Sequence, residues 1–325
     1  MFWGRDLKKK GVLGLNERNA DYIMQLNPRR LYPRVDDKVL TKNLAIDAGM
    51  AVPECYAVAC SQADVNRLPE VLSARGSFVM KPANGSGGDG IIVVDARRGD
   101  RYRQINGMLI EEAALLHHAS NIVGGQFSLT GGADTALIEY RVRFDPVFDE
   151  ISHQGVPDIR IIVYRGYPAM AMVRLPTRQS GGKANLHQGA VGAGIDLSTG
   201  VTLSGSSGNA LIELHPDTQV SVAGNQVPHW DRIMEIAALG YEVSGLGYLG
   251  VDIVIDEALG PLMLEMNARP GLNIQIANGH GLKPRFALID RWLKEQPDAQ
   301  IPAARAATSV ALMREFSTPL RTAVA

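Results

Sequence analysis

The sequence has few of the residues that mark metal–thiolate or disulfide-bonded proteins. Only two of its 325 residues are cysteine, Cys55 and Cys60, and they lack the further cysteine or histidine partners that a zinc site needs. We therefore expect two reduced, structural thiols. No apolar stretch approaches the roughly 20 residues of a transmembrane helix, and no apolar segment of a secretory signal follows the basic run near the N-terminus. The sequence predicts a cytoplasmic protein with no membrane partner.

An excess of charge of either sign is also missing. The chain has 33 basic and 34 acidic residues and a net charge of −1. This balance gives no reason to expect nucleic acid as a partner. With 46% hydrophobic and 21% charged residues, the composition is that of a globular protein. The length allows two lobes or domains.

The predicted elements alternate between helices and antiparallel hairpins. They are helices over 17–26, 36–48, 62–74, 104–119, 230–241 and 286–295, and strands over 51–59, 77–81, 91–95, 136–144, 159–164, 169–175, 249–255 and 262–266. Asp36 is the predicted N-cap of the helix that Gly49 ends, and His117 and His118 are the predicted C-terminal cap of the fourth helix. Beyond Pro297 the alanine-rich tail is weakly specified. This order favours an α+β fold over a doubly wound parallel sheet.

Two neighbouring apolar strands carry oxygen-bearing side chains. Asp252 lies in the first strand and Glu265 in the second, and Asn267 follows two residues later. Because side chains alternate faces along a strand, Glu265 and Asn267 point the same way, and a hairpin about 256–260 brings Asp252 beside them. Two carboxylates and an amide oxygen form the kind of cluster that Mg²⁺ prefers. The alternative is a hairpin with solvent-facing acids, although unpaired polar groups within apolar strands cost a few kcal/mol each.

A glycine-rich turn follows the short strand that ends at Lys81. Its residues are Gly85, Ser86, Gly87, Gly88, Asp89 and Gly90. Glycines allow the backbone to approach an anion closely, and successive N–H groups form a concave anion nest beside the lysine charge. No Gly-Lys-Ser/Thr opens a helix here, so the pattern is neither a Walker loop nor a dinucleotide fingerprint. The alternative is a mobile hairpin loop with a surface lysine. Together with a metal cluster, the turn predicts phosphate binding.

The order of these motifs resembles that of the ATP-grasp superfamily. A lysine before a glycine-rich hairpin, then a hinge strand, then Asp…Glu-x-Asn before a Pro-Gly turn, is similar to the glutamate-ligase branch related to the ribosomal-protein S6 glutamate ligases. The resemblance implies an ATP-grasp fold over 36–293, with an N-terminal lobe over 36–140 and a C-terminal lobe over 141–293. Residues 1–35 would form an arm, and residues 294–325 a tail.

The resemblance implies an ATP site between the two lobes. The residues that would hold ATP are Lys42 (or its neighbour Lys38), Lys81, Gly85, Ser86, Gly87, Gly88, Gly90, Glu139, Tyr140, Val142 and Lys183. Among these, the hinge 139–142 would read the adenine edge with its backbone N–H and C=O groups. Asp145 or Asp149 would contact the ribose hydroxyls. Two Mg²⁺ (or Mn²⁺) ions would be bound by Asp252, Glu265 and Asn267.

The catalytic residues implied by the resemblance are Arg160, Arg174, Asn185 and Arg269. Arg160 or Arg174 would stabilise the oxyanion of a tetrahedral intermediate, because a guanidinium matches carboxylate and phosphate geometry bidentately. Asp158 and Arg160 have the alternative of a simple surface ion pair, worth at most about 1 kcal/mol. Asn185 lies among glycines, where asparagine often only forms a turn.

The resemblance implies an ADP-forming ligase that joins a carboxylate to an amine through an acylphosphate. The partners would be an amino acid such as glutamate and an amine on a peptide, protein or small molecule. Two alternatives are an ATP-grasp kinase and a nucleotide-binding scaffold without turnover. Only about 35 residues precede the first nucleotide lysine, too few for a separate N-terminal domain. The acceptor site is therefore expected from the lobes, the arm, a macromolecular substrate or a second subunit of a homodimer.

Overall fold

The computed structural model describes residues 9–85, 87–128, 131–208, 210–296 and 300–317. Two antiparallel sheets with helices packed against them form an α+β fold, as predicted. Ser86, a predicted phosphate-loop residue, lies outside the described residues. Within the described ranges, no helix is both long and apolar enough to span a membrane.

The N-terminal sheet has six strands in the spatial order β1-β6-β2-β3-β4-β5. The strands are β1 (Cys55–Ala59), β2 (Phe78–Pro82), β3 (Ile92–Arg98), β4 (Arg101–Gln104), β5 (Leu109–Glu111) and β6 (Ala136–Glu139). Buried Phe78, Met80 and Leu115 belong to a hydrophobic core of its own. The sheet therefore has the apolar interior of a separate lobe.

The C-terminal sheet has seven strands in the order β11-β10-β9-β8-β7-β12-β13. They are β7 (Asp158–Tyr164), β8 (Tyr167–Leu175), β9 (Val191–Ile195), β10 (Thr202–Ser207), β11 (Ala210–Ile212), β12 (Tyr248–Asp256) and β13 (Gly260–Asn267). The central strands β7, β8 and β12 are buried along nearly their whole length. Their β-branched and apolar sequence fits strands that are covered on both faces.

Helices flank both sheets. They are α1 (Leu15–Glu17), α2 (Met24–Leu26), α3 (Pro33–Asp36), α4 (Lys38–Asp47), α5 (Gln62–Val65), α6 (Leu68–Ser73), α7 (Glu112–Val123), α8 (Trp230–Ser244), α9 (Ile274–Ala277), α10 (Lys283–Glu295) and α11 (Pro302–Met313). A π-helical turn, Arg18–Ile23, joins α1 to α2. The N-cap of α4 is Asp37, whose carboxylate accepts from the N–H groups of Val39 and Leu40, so the prediction of Asp36 was wrong by one residue.

The predicted helix over 104–119 was wrong in its first half. Residues 101–111 form the hairpin strands β4 and β5, and α7 begins only at Glu112. Tyr102 explains the difference, because its buried ring packs edge-on against Phe78, with 5.7 Å between centroids, while its strand pairs with β3. Tertiary packing thus overrides local helix propensity.

Both ends of the described chain pack onto the C-terminal sheet. Asn27 receives a hydrogen bond from Tyr248 N (3.0 Å) and donates from its Nδ2 to Tyr248 O (2.6 Å) and Ala268 O (3.1 Å). Arg305 on α11 is buried and donates to Gly166 O (3.0 Å), with an ion pair to Glu242. The arm and the tail are therefore structural parts of this lobe.

Candidate active site

Two lysines share one carboxylate of the N-terminal sheet. Lys42 on α4 and Lys81 on β2 each form an ion pair with a different oxygen of Glu139, at the end of β6. Lys42 Nζ also donates to Pro53 O at 2.7 Å. All three side chains are buried. Each ammonium is therefore fixed by its contacts with the protein and does not move freely in solvent. We name this group the lysine cluster.

Protonation of the lysine cluster follows from its burial. Burial lowers the pKa of Lys42, and the charge of Glu139 acts in the opposite direction. Burial acts to raise the pKa of Glu139, but the charges of Lys81 and Lys42 outweigh it and hold that pKa below its usual value. Glu139 is therefore ionised, and with two lysines around one glutamate the cluster keeps a positive charge.

Lys38 contacts the glycine-rich turn directly. Its ammonium donates to Gly85 O at 2.8 Å and to Ala83 O at 3.2 Å. Burial lowers the pKa of Lys38, and the largest opposing effect is the charge of Glu265 on β13. The two alternatives for the first nucleotide lysine thus have different partners: Lys42 pairs with Glu139, and Lys38 with the loop backbone.

The glycine-rich turn is held at both ends. At its start, Asp134 accepts from the backbone N–H (3.1 Å) and the Nδ2 (2.8 Å) of Asn84. At its end, Gly90 O is 2.8 Å from His118 Nε2. A Cβ on Gly90 would lie 2.6 Å from the Phe127 ring, and the residue has φ +75°, so only glycine fits.

The middle of the turn is left-handed, with φ +66° at Gly87 and +83° at Gly88. This backbone conformation is available to glycine at no steric cost and suits an anion nest.

His118 was predicted to cap a helix end, which was wrong because α7 continues to Val123.

The second half of the hinge over residues 139–142 has free backbone groups. The hydroxyl of Tyr140 donates to Asp256 Oδ2 at 2.9 Å, and its N–H to Glu54 O at 2.8 Å. In the part of the chain that the structure describes, the N–H and C=O groups of Arg141 and Val142 have no backbone partner. The side chain of Glu139 points instead to the lysine cluster. The hinge thus has free donors and acceptors where the adenine edge was predicted to bind.

In the C-terminal lobe, two arginines surround one aspartate. Arg160 binds Asp252 bidentately, with Nε–Oδ1 2.7 Å and Nη2–Oδ2 2.5 Å. Arg174 Nη2 also donates to Asp252 Oδ2, at 3.0 Å, and forms a bidentate pair with Asp158, with Nε–Oδ1 2.5 Å. These four charged side chains are mostly buried, and we name them the arginine network.

Strand register explains why these residues meet. Asp252 on β12 lies opposite Glu265 on β13 and opposite Arg160 on β7. Cross-strand neighbours share a face, and Asn267 lies on that same face two residues beyond Glu265. Its Nδ2 donates to Asp252 Oδ2 at 3.3 Å.

Helix α8 covers the opposite face of these strands. Gly240 permits its close approach, since a Cβ there would lie 3.0 Å from Val251 Cγ2. One face of β12 is thus apolar core, and the other carries the polar site.

The two aspartates of the network differ in acidity. Burial raises the pKa of Asp158 to about 6; Arg174 opposes this and the nearby charge of Asp252 adds to it. Burial also acts to raise the pKa of Asp252, but Arg160 and Arg174 outweigh it and hold that pKa below its usual value. The carboxylate with two guanidinium partners is the stronger acid.

The donor set of the predicted metal site suits a hard cation. The side chain of Glu265 makes no hydrogen bond or ion pair within the described residues, and Asn267 offers an amide oxygen. With three acids and two arginines, Glu265 and the arginine network have one net negative charge, which a divalent cation would reverse. Among the described residues there is no group of three His, Cys, Asp or Glu side chains placed to hold a metal. The predicted set instead combines two carboxylates and an amide, as Mg²⁺ sites completed by water and phosphate do.

The remaining predicted site residues are less closely associated. Lys183 is exposed, and its Cε lies 3.9 Å from the position of a Cβ on Gly88, so it faces the glycine-rich turn. Asn185 Oδ1 accepts from His187 N at 3.0 Å and caps a 3₁₀ turn, which agrees with the turn alternative. Arg269 is exposed and lies over the Tyr32 ring, 4.9 Å from its centroid.

Sequence reasoning missed several contacts around the site. Asp134, which fixes Asn84, has no motif to mark it, and it lies 50 residues away in sequence. Glu139 was predicted only as a hinge residue, although an isolated acid at the end of an apolar strand could have indicated a buried charge partner. The hydrogen bond from Tyr140 to Asp256 joins residues 116 positions apart, so no local sequence pattern could predict it.

Two antiparallel sheets, with a lysine cluster and glycine-rich turn on one and an acid–arginine site on the other, define an ATP-grasp protein. The chain belongs to the sugar-transfer associated ATP-grasp family, which matches residues 17–291. This match confirms the predicted superfamily and fold. No curated protein matches the sequence.

Solved structures of ATP-grasp ligases are similar to the chain. The ligase PsnB with its minimal precursor has 16% identity and a TM-score of 0.42, with 83% of this chain and 63% of that chain covered. D-cycloserine synthetase DcsG has 17% identity and a TM-score of 0.45, with 81% and 72% covered. D-alanyl-alanine synthetase A from Vibrio cholerae has 10% identity and a TM-score of 0.46, with 88% and 67% covered. The chain thus spans a little under two thirds of the length of PsnB.

Proposed function

We propose that this protein is an ATP-dependent, ADP-forming ligase that joins a carboxylate to an amine through an acylphosphate. The observation that carries the proposal is the placement of two opposite clusters against each other. Lys38 on α4 interacts electrostatically with Glu265 and also with Lys81 and Glu139 of the lysine cluster. Lys183 faces Gly88. We infer from these contacts that the positive and negative sites form one cleft. Glutamate is our first candidate for the carboxylate donor, and a peptide, protein or small amine for the acceptor.

The residues divide the chemistry between the lobes. Lys42, Lys81 and the glycine-rich turn would bind the ATP phosphates, and the free backbone of the hinge would bind adenine. Asp252, Glu265 and Asn267 would hold divalent ions, which when bound neutralise phosphate charge. Phosphoryl transfer needs such positioning and charge neutralisation more than a protein nucleophile.

The arginine network would act on the acyl group. Transfer of the γ-phosphoryl group to the donor carboxylate gives an acylphosphate and ADP; attack by the amine then forms the amide and releases phosphate. Arg160 and Arg174 would stabilise the oxyanion between these states, because guanidinium donors match its geometry. Asp158 would keep Arg174 oriented.

The acceptor site would be open to large substrates. Residues 9–50 pack along the C-terminal lobe, with Arg269 exposed over Tyr32 beside the Pro-Gly turn. We propose that this surface, or a second subunit, completes the acceptor site. The family description makes amino sugars a sensible addition to a panel of acceptors.

The proposal is tested by ADP release from Mg-ATP over a panel of amino acids, peptides and amino sugars, with hydroxylamine present. We expect carboxylate-dependent ADP together with hydroxamate, and loss of both in Glu265→Ala. Glu257→Ala is the matched control, because Glu257 is an exposed acid in the same hairpin that pairs with Arg143.

Three outcomes would contradict the proposal. ADP formation that requires a hydroxyl compound and yields no hydroxamate would indicate a kinase. Slow ATP hydrolysis that ignores every acceptor would favour a nucleotide-binding scaffold. Full activity of Glu265→Ala would exclude the assigned metal site.

A further inference from the structure

Asp252 is the one predicted metal ligand whose oxygens already have strong partners. Its Oδ2 accepts from Arg160 Nη2 at 2.5 Å, Arg174 Nη2 at 3.0 Å and Asn267 Nδ2 at 3.3 Å, and its Oδ1 accepts from Arg160 Nε at 2.7 Å. A carboxylate oxygen has two lone pairs, so Oδ2 is fully used. Oδ1 keeps one lone pair, but it lies beside the Arg160 guanidinium, whose positive charge repels a cation there. A cation therefore binds Asp252 tightly only if Arg160 moves.

Arg160 is the donor that can move. Arg174 is fixed by its bidentate pair with Asp158, which would remain if its contact to Asp252 were lost. Arg160 has no other hydrogen-bond partner in the described parts of the chain. Its release would leave a mostly buried guanidinium, which is stable only beside another anion.

We propose that Arg160, through its bidentate pair with Asp252, couples metal binding to nucleotide binding. The inference rests on the proposed function and deepens it. When no nucleotide is bound, a metal ion must displace the Arg160 guanidinium from Asp252, and no other anion is there to receive it. The metal ion therefore binds weakly. Nucleotide phosphates offer Arg160 a new partner, and each ligand then strengthens the binding of the other, as thermodynamic linkage requires.

Charge supports the same exchange. Glu265 and the arginine network together have one net negative charge, and releasing Arg160 toward phosphate leaves a more negative site for a divalent ion. Lys38, which interacts with Glu265, lies at the glycine-rich turn where phosphate is proposed to bind. The anion therefore arrives next to the acids that the metal needs.

The test is titration of the full chain with Mn²⁺, following free Mn²⁺ by electron paramagnetic resonance, without and with ADP and corrected for Mn²⁺–ADP in buffer. Without ADP we expect Arg160→Met to bind Mn²⁺ at least about tenfold more tightly than wild type, the lower end of the effect of outer-shell changes on metal affinity. We also expect ADP to strengthen Mn²⁺ binding less in the variant than in wild type.

Arg103→Met is the matched control. Arg103 holds Asp95 bidentately, with Nε–Oδ1 2.9 Å and Nη2–Oδ2 2.8 Å, in the other sheet and outside the site. Its Mn²⁺ affinity should equal that of wild type. Arg160→Lys keeps the charge but not the two-point contact, so it should be intermediate. It also decides the question if Arg160→Met does not fold.

The possible failures are distinct. Suppose that both Arg160 variants bind Mn²⁺ no more tightly than wild type, while ADP still strengthens Mn²⁺ binding. This result would overturn the inference about Arg160 but not the proposed function. Mn²⁺ binding with ADP that Glu265→Ala does not weaken would overturn the proposed metal site and the inference with it.

Discussion

Buried ion pairs fix the charged side chains in both the lysine cluster and the arginine network, but the two groups differ in the sign of their net charge. In the lysine cluster one glutamate joins two cations that can lose their protons, and the group is positive. In the arginine network two aspartates hold two cations that cannot, and with Glu265 the site is negative. In both sites buried charges are held by ion pairs within the protein, and we propose that each site is complementary to one part of a metal–nucleotide complex.

The largest effect in this comparison should come from Asp252→Asn. Arg160 would lose its carboxylate in a mostly buried position, and breaking such a pair costs about 3–5 kcal/mol of unfolding free energy. Chemical denaturation at neutral pH measures the loss. The control Asp95→Asn removes a far more exposed bidentate pair and should leave stability nearly unchanged. Equal, small losses in both variants would show that burial does not distinguish the pairs.

Glu139→Gln should cost less, roughly 2–3 kcal/mol at neutral pH, because lysine, unlike arginine, can lose its proton. Without Glu139, burial would hold the pKa of Lys42 further below that of the unfolded chain. The unfolded state then binds more protons, so the deficit should shrink as pH rises from neutral toward the ordinary lysine pKa. Chemical denaturation from neutral pH to the ordinary lysine pKa tests this prediction. The stability loss of Asp252→Asn should stay constant over the same range. If the losses of both variants changed with pH in the same way, the proposed difference between the lysine and arginine pairs would be refuted.

A smaller effect is expected from Asp158→Asn, and it has a characteristic pH dependence. The folded-state pKa of Asp158 is raised to about 6 from 3.8, so the native protein binds the proton more tightly. The stabilisation is present below the lower value and is lost as pH rises through the higher one. The stability of wild type relative to the variant should therefore fall by up to about 3 kcal/mol over this window. A difference that rises instead would show that Arg174 dominates over burial.

The smallest effect on stability should come from Lys183→Ala. The side chain is exposed and has no ion pair within the described residues, so stability should change by less than about 0.5 kcal/mol. If Lys183 contacts phosphate across the cleft, the KM for ATP should rise about tenfold, which corresponds to one charge-assisted hydrogen bond. His187→Ala, an exposed neighbour, is the control. Equal KM values in both variants would remove Lys183 from the nucleotide site.

Sequence patterns predicted what depends on strand periodicity. Alternation along 249–255 and 262–266 placed Asp252 and Glu265 on one face, and the strand pairing confirms this. Periodicity could not reveal that Arg174 reaches both Asp158 and Asp252, because that contact depends on how β7, β8 and β12 lie side by side. The helix predicted over 104–119 failed for the same reason, since Tyr102 is held by a distant strand.

For the site residues too, some features could be predicted from local sequence and others depended on tertiary contacts. Motif order associated the lysines, the glycine-rich turn and the oxygen ligands. The structure places Lys38 close enough to Glu265 for their charges to interact, and Lys183 beside Gly88. The ligand role of each stays a prediction. Motif order did not show that Glu139 and Asp252 hold the lysine and arginine side chains, because these pairs form between residues almost 100 positions apart.

The path of the chain has a consequence for folding. Leu13, Ile23 and Ala45 belong to the same core as the C-terminal sheet, whereas residues between 55 and 139 build the N-terminal sheet around another core. The N-terminal sheet is therefore an insertion, joined to the rest by two crossings near Ala51 and Tyr140. The C-terminal lobe must bring together segments more than 200 residues apart, as Asn27 and Tyr248 are. We expect the insertion to fold first and the enclosing lobe to close more slowly, because distant contacts carry the larger loop-closure entropy.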